Sequence, residues 1–158
     1  MKESLVTGIT FGSTSGAITT MGLIVGLHSG TQSRLAVIGG ILIIAIADAF
    51  SDALGIHLSE ESENLHTRKQ IWASTGATLV SKFVFALTFL IPVLFLEITT
   101  AVLVSVLWGI GILAILSYII ARSQNTNPRR VIAEHLLIAL VVIIVTHFVG
   151  DWISATFK

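Results

Sequence analysis

The sequence contains no cysteine, only two prolines and few charged residues. Without cysteine the chain forms no disulfide bonds, thiolate metal sites, iron–sulfur clusters or cysteine nucleophiles. Charged residues make up 11% of the 158 positions, whereas soluble domains carry about 25%. The 9 basic residues are balanced by 9 acidic ones, so there is no basic excess to attract nucleic acid. The composition therefore argues against a soluble globular protein and against a nucleic-acid partner.

Long apolar runs dominate the chain instead, with 54% hydrophobic residues and a mean hydropathy of +0.93. A membrane-spanning helix needs roughly 20 mostly apolar residues. Five stretches meet this requirement: 5–27, 35–57, 72–96, 98–121 and 131–153. We predict an all-α, multi-pass protein of the lipid bilayer, in the cell membrane if the source is prokaryotic. Residues 1–158 form a single domain, in which residues 58–71 extend the second helix on the cytoplasmic side.

The distribution of Lys and Arg predicts the orientation, because cytoplasmic loops are enriched in positive charge. With the N-terminus in the cytoplasm, the outer side carries only Arg34 and Lys158. The inner side then carries Lys2, Arg68, Lys69, Arg122, Arg129 and Arg130. We therefore expect a cytoplasmic N-terminus and an external C-terminus.

Glycine is concentrated on one face of the first span. Gly8, Gly12 and Gly16 recur every four residues, and Gly22 and Gly26 add a second pair at the same spacing. Small residues in this pattern let another helix approach closely. The pattern fits tight packing inside the chain and a homodimer interface equally well, and both interpretations stay open.

Two carboxylates lie inside the second span. Asp48 and Asp52 are four residues apart and therefore stack on one helical face. Such a pair can share a divalent cation through hard oxygen ligands, for which protons compete. The alternative is an ion pair with Lys82 in the third span, since at ~1.5 Å per residue Asp48 and Lys82 lie roughly 14–15 Å from the inner surface. A lysine there can replace the cation when the site is empty.

The fifth span has the same spacing in His147 and Asp151. This pair could bind a metal or form a His–Asp hydrogen bond, and a capping or interfacial role is the alternative. At ~1.5 Å per residue, His147 lies about 9 Å from the outer end of its span and Asp48 about 20 Å from the outer end of its own. The two pairs are therefore expected to be separate sites along one ion path.

Acidic residues and histidines follow the second span on the cytoplasmic side. His57 ends the span, and Glu60, Glu61, Glu63 and His66 come shortly after it. These residues could collect cations and gate their entry, although a charged run after a span is also typical of a solvated helix face. Both interpretations are carried forward.

Two segments resemble the vacuolar iron transporter family. The run from Ser15-Gly16-Ala17-Ile18-Thr19 to Leu27 is similar to the family's first-span motif, Asp-Gly-Leu-Val-Thr/Ser followed by apolar residues and a later Gly. Residues 47–63 resemble its second-span signature, Ala-x-x-x-Ser-Met-Ala-x-Gly-Glu-Tyr/Phe-x-Ser-x-x-Ser. In this chain Ser15, Asp52 and Ile56 stand where that family has Asp, Met and Glu.

The resemblance implies a five-span homodimer that moves Fe²⁺ or Mn²⁺ in exchange for protons, with the ion path between the protomers. It places the path beside Ser15 and Asp52. Replacing a thioether by a carboxylate makes the ligands harder, which favours Mn²⁺, Fe²⁺ or Mg²⁺. The cytoplasmic metal-binding domain that many members insert after the second span is missing here, where only residues 58–71 stand.

The sequence therefore predicts a proton-coupled transporter of a divalent metal, with no permanently bound cofactor. We expect no enzyme, because the chain has no His-Glu-x-x-His motif and because Ser15 and His147 are predicted at different depths. The alternative is a non-transporting membrane scaffold that assembles through the Gly-rich first helix. The predicted metal-path residues are Ser15, Asp48, Asp52, His57, Glu60, Glu63, His147 and Asp151.

Overall fold

The computed structural model describes residues 1–157, which form six α-helices. They are α1 (Lys2–Thr31), α2 (Arg34–Glu63), α3 (Arg68–Thr88), α4 (Leu90–Phe95), α5 (Ile98–Ser123) and α6 (Pro128–Thr156). By length and apolar composition α1, α2, α5, α6 and the combined stretch Arg68–Phe95 are candidate membrane spans. The predicted all-α architecture is confirmed, and five helical stretches are long and apolar enough to cross a membrane, as predicted. Lys158, which the orientation argument counted on the outer side, lies outside the described residues.

The first helix lies at the centre of the bundle, where it packs against α2, α3, α5 and α6. Its glycines permit this close packing. A Cβ atom added to Gly12 would lie 2.5 Å from the Thr78 carbonyl oxygen on α3, and one added to Gly26 would lie 3.2 Å from the Thr146 carbonyl oxygen on α6. The glycine face is therefore buried within the chain, which decides between the two interpretations of the pattern in favour of internal packing.

The segment between the second and third spans differs from its prediction. The second helix does continue past His57, but it ends at Glu63, and Asn64 follows in the left-handed conformation with a φ of 54°. A new helix starts after Thr67, which forms a capping box with Gln70. The prediction of one helical extension over residues 58–71 is wrong from Asn64 onward. Asn tolerates the left-handed region, and Thr-x-x-Gln is itself a helix-start signature.

The third span is interrupted at Phe89, between α3 and α4. Pro92 has no N–H to donate to the Thr88 carbonyl, and its ring crowds that carbonyl, so the regular hydrogen bonding of the helix fails there. The C-terminal end of this span is tied to α2, because the Arg34 guanidinium donates to the Leu96 carbonyl at 2.5 Å.

Glu97 begins α5 as its N-cap residue. Its carboxylate accepts hydrogen bonds from the backbone N–H groups of Thr99 and Thr100, at 3.1 and 3.2 Å. These two bonds favour the ionised form and hold the pKa of the Glu97 carboxyl below its ordinary value. The fifth span also begins with a side-chain N-cap, which is Asn127, and has Pro128 in its first turn.

The bundle interior is apolar in one part and polar in another. Large apolar side chains such as Met21, Ile41 and Phe89 fill a hydrophobic core around α1. The contact between α1 and α3 nearer the N-terminus of α1 is lined instead by small and hydroxyl side chains, among them the buried Ser13, Ser74 and Thr78. This polar contact places charged side chains next to the middle of α1.

Candidate cation site

Polar side chains from three helices meet near the middle of the bundle. Ser15 comes from α1, Asp48 and Asp52 from α2, and Lys82 from α3. We name these four residues the central cluster. At ~1.5 Å per residue, Ser15, Asp48 and Lys82 each lie ~20–24 Å from both ends of their spans, so the cluster is at mid-depth in the apolar region.

The ammonium group of Lys82 joins the central cluster together. Its Nζ lies 2.5 Å from Asp48 Oδ2 and also contacts Asp52 Oδ2. It donates to Ser15 Oγ at 2.9 Å, and the Ser15 hydroxyl donates in turn to Asp52 Oδ2 at 2.6 Å. The pairing of Asp48 with Lys82, one of the two alternatives from the sequence, is therefore present, and Asp52 shares the same ammonium.

The two carboxylates have unequal hydrogen bonding. Asp52 Oδ2 accepts from both Lys82 and Ser15. Asp48 Oδ2 is buried and close to Lys82, yet no donor among residues 1–157 is aligned with it for a hydrogen bond. Asp52 is therefore held by two donors, whereas Asp48 has a buried oxygen without an aligned donor among these residues.

The central cluster carries more negative than positive charge, since two carboxylates share one ammonium. The Lys82 side chain is 1% exposed, while those of Asp48 and Asp52 are 27% and 20% exposed. An uncompensated charge inside a membrane costs several kcal/mol (at least ~2.5–3.5). One further positive charge would complete the charge balance of the cluster.

Three of the predicted residues form a separate group nearer the cytoplasmic end predicted for α2. Glu60 is buried and accepts a hydrogen bond from Ser74 Oγ at 2.5 Å. His57 Nδ1 lies 2.9 Å from Thr75 Oγ1, and Glu63 lies 3.7 Å from His66. Since Ser74 and Thr75 precede Lys82 on α3, Glu60 and His57 lie ~10–12 Å from the depth of Lys82, and Glu63 lies ~16–17 Å along α2 from Asp52.

A small cavity with several acidic side chains lies beside Glu60 and Glu63. Its lining includes Glu3, Glu60, Glu63 and His66, together with Ile56. Ile56 is one helical turn from Asp52 on the same face of α2. An apolar side chain therefore separates the acidic cavity from the central carboxylates.

The predicted pair on the fifth span lies at the opposite end. His147 Nε2 is 3.5 Å from Asp151 Oδ2, and both side chains are 53% exposed. The other ring nitrogen, Nδ1, lies 2.5 Å from Ser29 Oγ on α1. Ser29 is ~21 Å along α1 from Ser15, so this pair is not part of the central cluster. Because Ser29 is buried, its hydroxyl is not open to a substrate.

The predicted metal-path residues therefore divide among three levels. Ser15, Asp48 and Asp52 come together in the central cluster. Two other groups stay apart from them, and we name them by the predicted orientation: the inner group is His57, Glu60 and Glu63, and the outer group is His147 and Asp151. Within the described part of the chain, no group of three or more His, Asp or Glu side chains is placed to hold a metal ion. A divalent ion at the centre would bind two carboxylates and a hydroxyl, and water or backbone oxygens would complete its shell.

Sequence reasoning missed several hydroxyl partners of these groups. They are Ser29 for His147, Ser74 for Glu60 and Thr75 for His57. A weak signal was present, because Ser74, Thr78 and Lys82 recur every four residues of the third span and so share one face. That face packs against the glycines of α1.

Comparisons of this chain with protein-family models, with curated proteins and with solved structures find no match. The fold and the site define a class, which is a multi-pass helical membrane protein with a charged cluster at mid-depth. The resemblance of residues 15–27 and 47–63 to the vacuolar iron transporters stays a prediction.

Proposed function

We propose that the protein moves a divalent metal cation, Fe²⁺ or Mn²⁺, across the membrane in exchange for protons. The observation that supports this most directly is the Lys82 ammonium held between Asp48 and Asp52 at mid-depth of the apolar bundle. Ionisable residues placed inside a membrane are expensive and typically mark ion pathways or proton relays. The excess carboxylate in the cluster fits a cation better than an anion.

The donor atoms of the central cluster suit a hard divalent ion. Asp48 and Asp52 offer carboxylate oxygens and Ser15 offers a hydroxyl, which are ligands favoured by Mn²⁺ and Mg²⁺ and accepted by Fe²⁺. Lys82 occupies these oxygens in the structure. We propose that its ammonium stands in for the metal when no metal is bound, so that the carboxylates are never left unpaired.

The inner and outer groups are proposed as the two approaches to this site. With the N-terminus in the cytoplasm, the cavity lined by Glu60 and Glu63 faces the cytoplasm and collects cations, and His57 lies beside it. Ile56 acts as the gate between this cavity and Asp52. His147 and Asp151 form a separate cation site near the outer surface.

A homodimer is proposed to cover the carboxylates on their exposed side. Asp48 and Asp52 are partly exposed on α2, and the neighbouring Ser51 and Gly55 are exposed and small. Carboxylates facing lipid are unfavourable, and small residues let a second helix approach closely. A second copy of α2 on this face would place the ion path between the protomers.

Transport is tested with purified protein in liposomes that contain a dye quenched by Mn²⁺. A pH gradient, acidic on the inside, is imposed, and initial quenching rates are compared for the wild type, Asp48→Asn, Asp52→Asn and Asp151→Asn. We expect uptake by the wild type, a loss of at least tenfold in the Asp48→Asn and Asp52→Asn variants, and a smaller change in Asp151→Asn.

The same assay addresses the scaffold alternative. A scaffold predicts no quenching above that of protein-free liposomes with Mn²⁺ or Fe²⁺. It would also need a surface other than the glycine face of α1, which is buried against α3 and α6. Uptake that is unchanged in the Asp48→Asn and Asp52→Asn variants would overturn the carboxylate mechanism while leaving transport itself in place.

A further inference from the structure

Another cavity lies at the end of the bundle where α1 and α6 begin and α5 ends. It has a volume of about 430 Å³ and is lined by residues of all three helices. We name it the α1–α5–α6 cavity, and we propose that it binds the headgroup and glycerol region of an anionic phospholipid. The proposal is separate from metal transport, because none of the predicted metal-path residues lines this cavity.

The depth of the cavity matches the region where lipid headgroups meet acyl chains. Thr7, Thr10 and Thr14 line it and follow the start of α1 at Lys2 by ~8, ~12 and ~18 Å. The 30 residues of α1 give a length of ~45 Å, whereas the hydrocarbon core of a bilayer is ~30 Å thick. For a helix centred in the bilayer, the cavity therefore starts near the edge of this core and reaches ~10 Å into it.

One wall of the cavity carries a buried hydroxyl that has no partner in the described chain. A helical threonine can donate to the carbonyl four residues earlier, as Thr7 and Thr19 do on α1 at 3.1 and 2.9 Å. Thr14 Oγ1 is buried but has no hydrogen-bond partner among residues 1–157. A buried polar group without a partner is costly, so the cavity favours an occupant that accepts a hydrogen bond from Thr14.

A histidine provides a second polar group. His135 on α6 lines the cavity, and its Nδ1 lies 2.7 Å from Ser117 Oγ on α5. The Ser117 hydroxyl donates to the Leu113 carbonyl at 2.5 Å, so its single proton is in use and Nδ1–H of His135 donates to Ser117 Oγ. The ring is therefore held by Ser117, and Nε2 is the ring nitrogen that remains for an occupant.

The remaining lining is partly apolar and partly polar. Val6, Phe11 and Ile120 form the apolar part, and Val6 and Phe11 are exposed on the surface of the bundle. Ser123 and Gln124 add a hydroxyl and a carboxamide at the end of α5. An apolar wall beside hydrogen-bonding groups at this depth suits an amphiphilic lipid better than a small hydrophilic solute.

The charge at this end of the bundle favours an anionic headgroup. No acidic side chain is among the residues that line the cavity in the described chain. The adjoining helix ends carry four basic residues and two acidic ones, which are Lys2, Arg122, Arg129 and Arg130 against Glu3 and Glu134. Basic pockets between membrane helices on the cytoplasmic side are typical of sites for anionic headgroups. The predicted cytoplasmic N-terminus places the cavity in that leaflet.

The test is native mass spectrometry of the purified full chain in detergent, incubated with equal amounts of phosphatidylglycerol and phosphatidylcholine that have the same acyl chains. We expect one phosphatidylglycerol to stay bound per chain, with at least a fivefold preference over phosphatidylcholine. Equal retention of the two lipids, or retention of neither, would overturn the proposal.

A variant at position 14 tests whether the lipid lies in this cavity. Thr14→Val removes the unpartnered hydroxyl with little change of shape, and we expect it to weaken phosphatidylglycerol binding about tenfold, because a hydrogen bond to a charged acceptor is lost. Thr146→Val is the matched control, since the Thr146 hydroxyl donates to carbonyls of its own helix and Thr146 packs against Gly26 of α1. Equal affinities of the two variants would contradict the proposal.

Gln124→Ala supplies a second variant that does not disturb the core, because Gln124 is exposed at the end of α5. We expect it to weaken phosphatidylglycerol binding at least threefold, and it decides the matter if Thr14→Val does not fold. An unchanged affinity would place the lipid outside the cavity and overturn the proposal. Because the readout is lipid binding, its failure leaves the transport proposal standing, and a protein that takes up no Mn²⁺ still tests the lipid site.

Discussion

At the residue scale, the two aspartates of the central cluster are chemically distinct although they share a helix face. Asp52 is held by the ammonium of Lys82 and the hydroxyl of Ser15, whereas Asp48 Oδ2 has no aligned donor in the described chain. Asp52 is therefore the more firmly held of the two carboxylates. This difference predicts different effects on stability when each is neutralised.

Asp52→Asn is expected to lower the free energy of unfolding by about 1–3 kcal/mol, because a buried ammonium and a hydroxyl lose a charged acceptor. Asp48→Asn is expected to change it by less than about 1 kcal/mol, since it removes the excess negative charge and leaves both bonds of Asp52 intact. Thermal unfolding of the two variants in detergent, without divalent cations, measures the difference. Equal losses, or a larger loss for Asp48→Asn, would contradict the assigned asymmetry.

The sequence predicted part of this cluster. The matching depths of Asp48 and Lys82 follow from counting residues along two spans, and the spacing of Asp48 and Asp52 places both on one face. The shared ammonium also depends on how α1, α2 and α3 are rotated about their axes, which counting along a span does not give. The hydroxyl partners Ser29 and Thr75 were missed because such residues are common in membrane helices and carry no distinctive pattern, and the signal for Ser74 was only its four-residue spacing to Thr78 and Lys82.

At the element scale, the helices follow from apolar runs and their ends follow from local chemistry. The five spans were predictable because each apolar run is long enough to cross a bilayer. The break after Glu63 was not predicted, although Asn64 and the Thr67–Gln70 capping box carry its signal. The segment lacks Gly and Pro, and reading their absence as helix continuity overlooked these weaker stop and start signals.

The glycines of α1 provide a test at this scale. Gly12→Ala is expected to destabilise the protein by about 1–3 kcal/mol, because its Cβ would lie 2.5 Å from the Thr78 carbonyl oxygen. Gly39→Ala is the matched control, since among the described residues no atom outside its own stretch of helix backbone lies within 4 Å of that Cβ position. It is expected to stabilise α2 by about 0.5–1 kcal/mol. The measurement is the thermal midpoint of each purified variant, and a Gly12→Ala protein as stable as the control would argue against the α1–α3 packing.

At the scale of the whole molecule, α1 is the central helix of the bundle, and the other spans pack around it. More than half of the apolar stretch of α1 is buried, compared with 11% for α6. Large parts of α2 and α6 are therefore left to lipid or to a second copy. The proposed homodimer uses α2, where carboxylates are partly exposed at mid-depth, rather than α6, whose exposed face is apolar at that depth and carries His147 and Asp151 nearer its C-terminal end.

The absence of cysteine makes this arrangement directly testable, because a single introduced cysteine is the sole thiol in the chain. Ser51→Cys, next to Asp52 on the exposed side of α2, is expected to give a disulfide-linked dimer in oxidising membranes. Leu137→Cys on the exposed face of α6 is the control and is expected to stay monomeric on a non-reducing gel. The reverse pattern would move the interface to α6, and an absence of cross-linking at both positions would count against the α2 dimer.

The central claim is that Asp48 and Asp52 hold a divalent cation in the place where Lys82 otherwise sits. Electron paramagnetic resonance of Mn²⁺ added to the purified protein tests it most directly, because bound Mn²⁺ loses the sharp six-line signal of the free ion. The account predicts that the wild type and Asp151→Asn bind one Mn²⁺ per chain with equal affinity, whereas Asp48→Asn and Asp52→Asn bind it at least tenfold more weakly. Equal binding by all four proteins would contradict it.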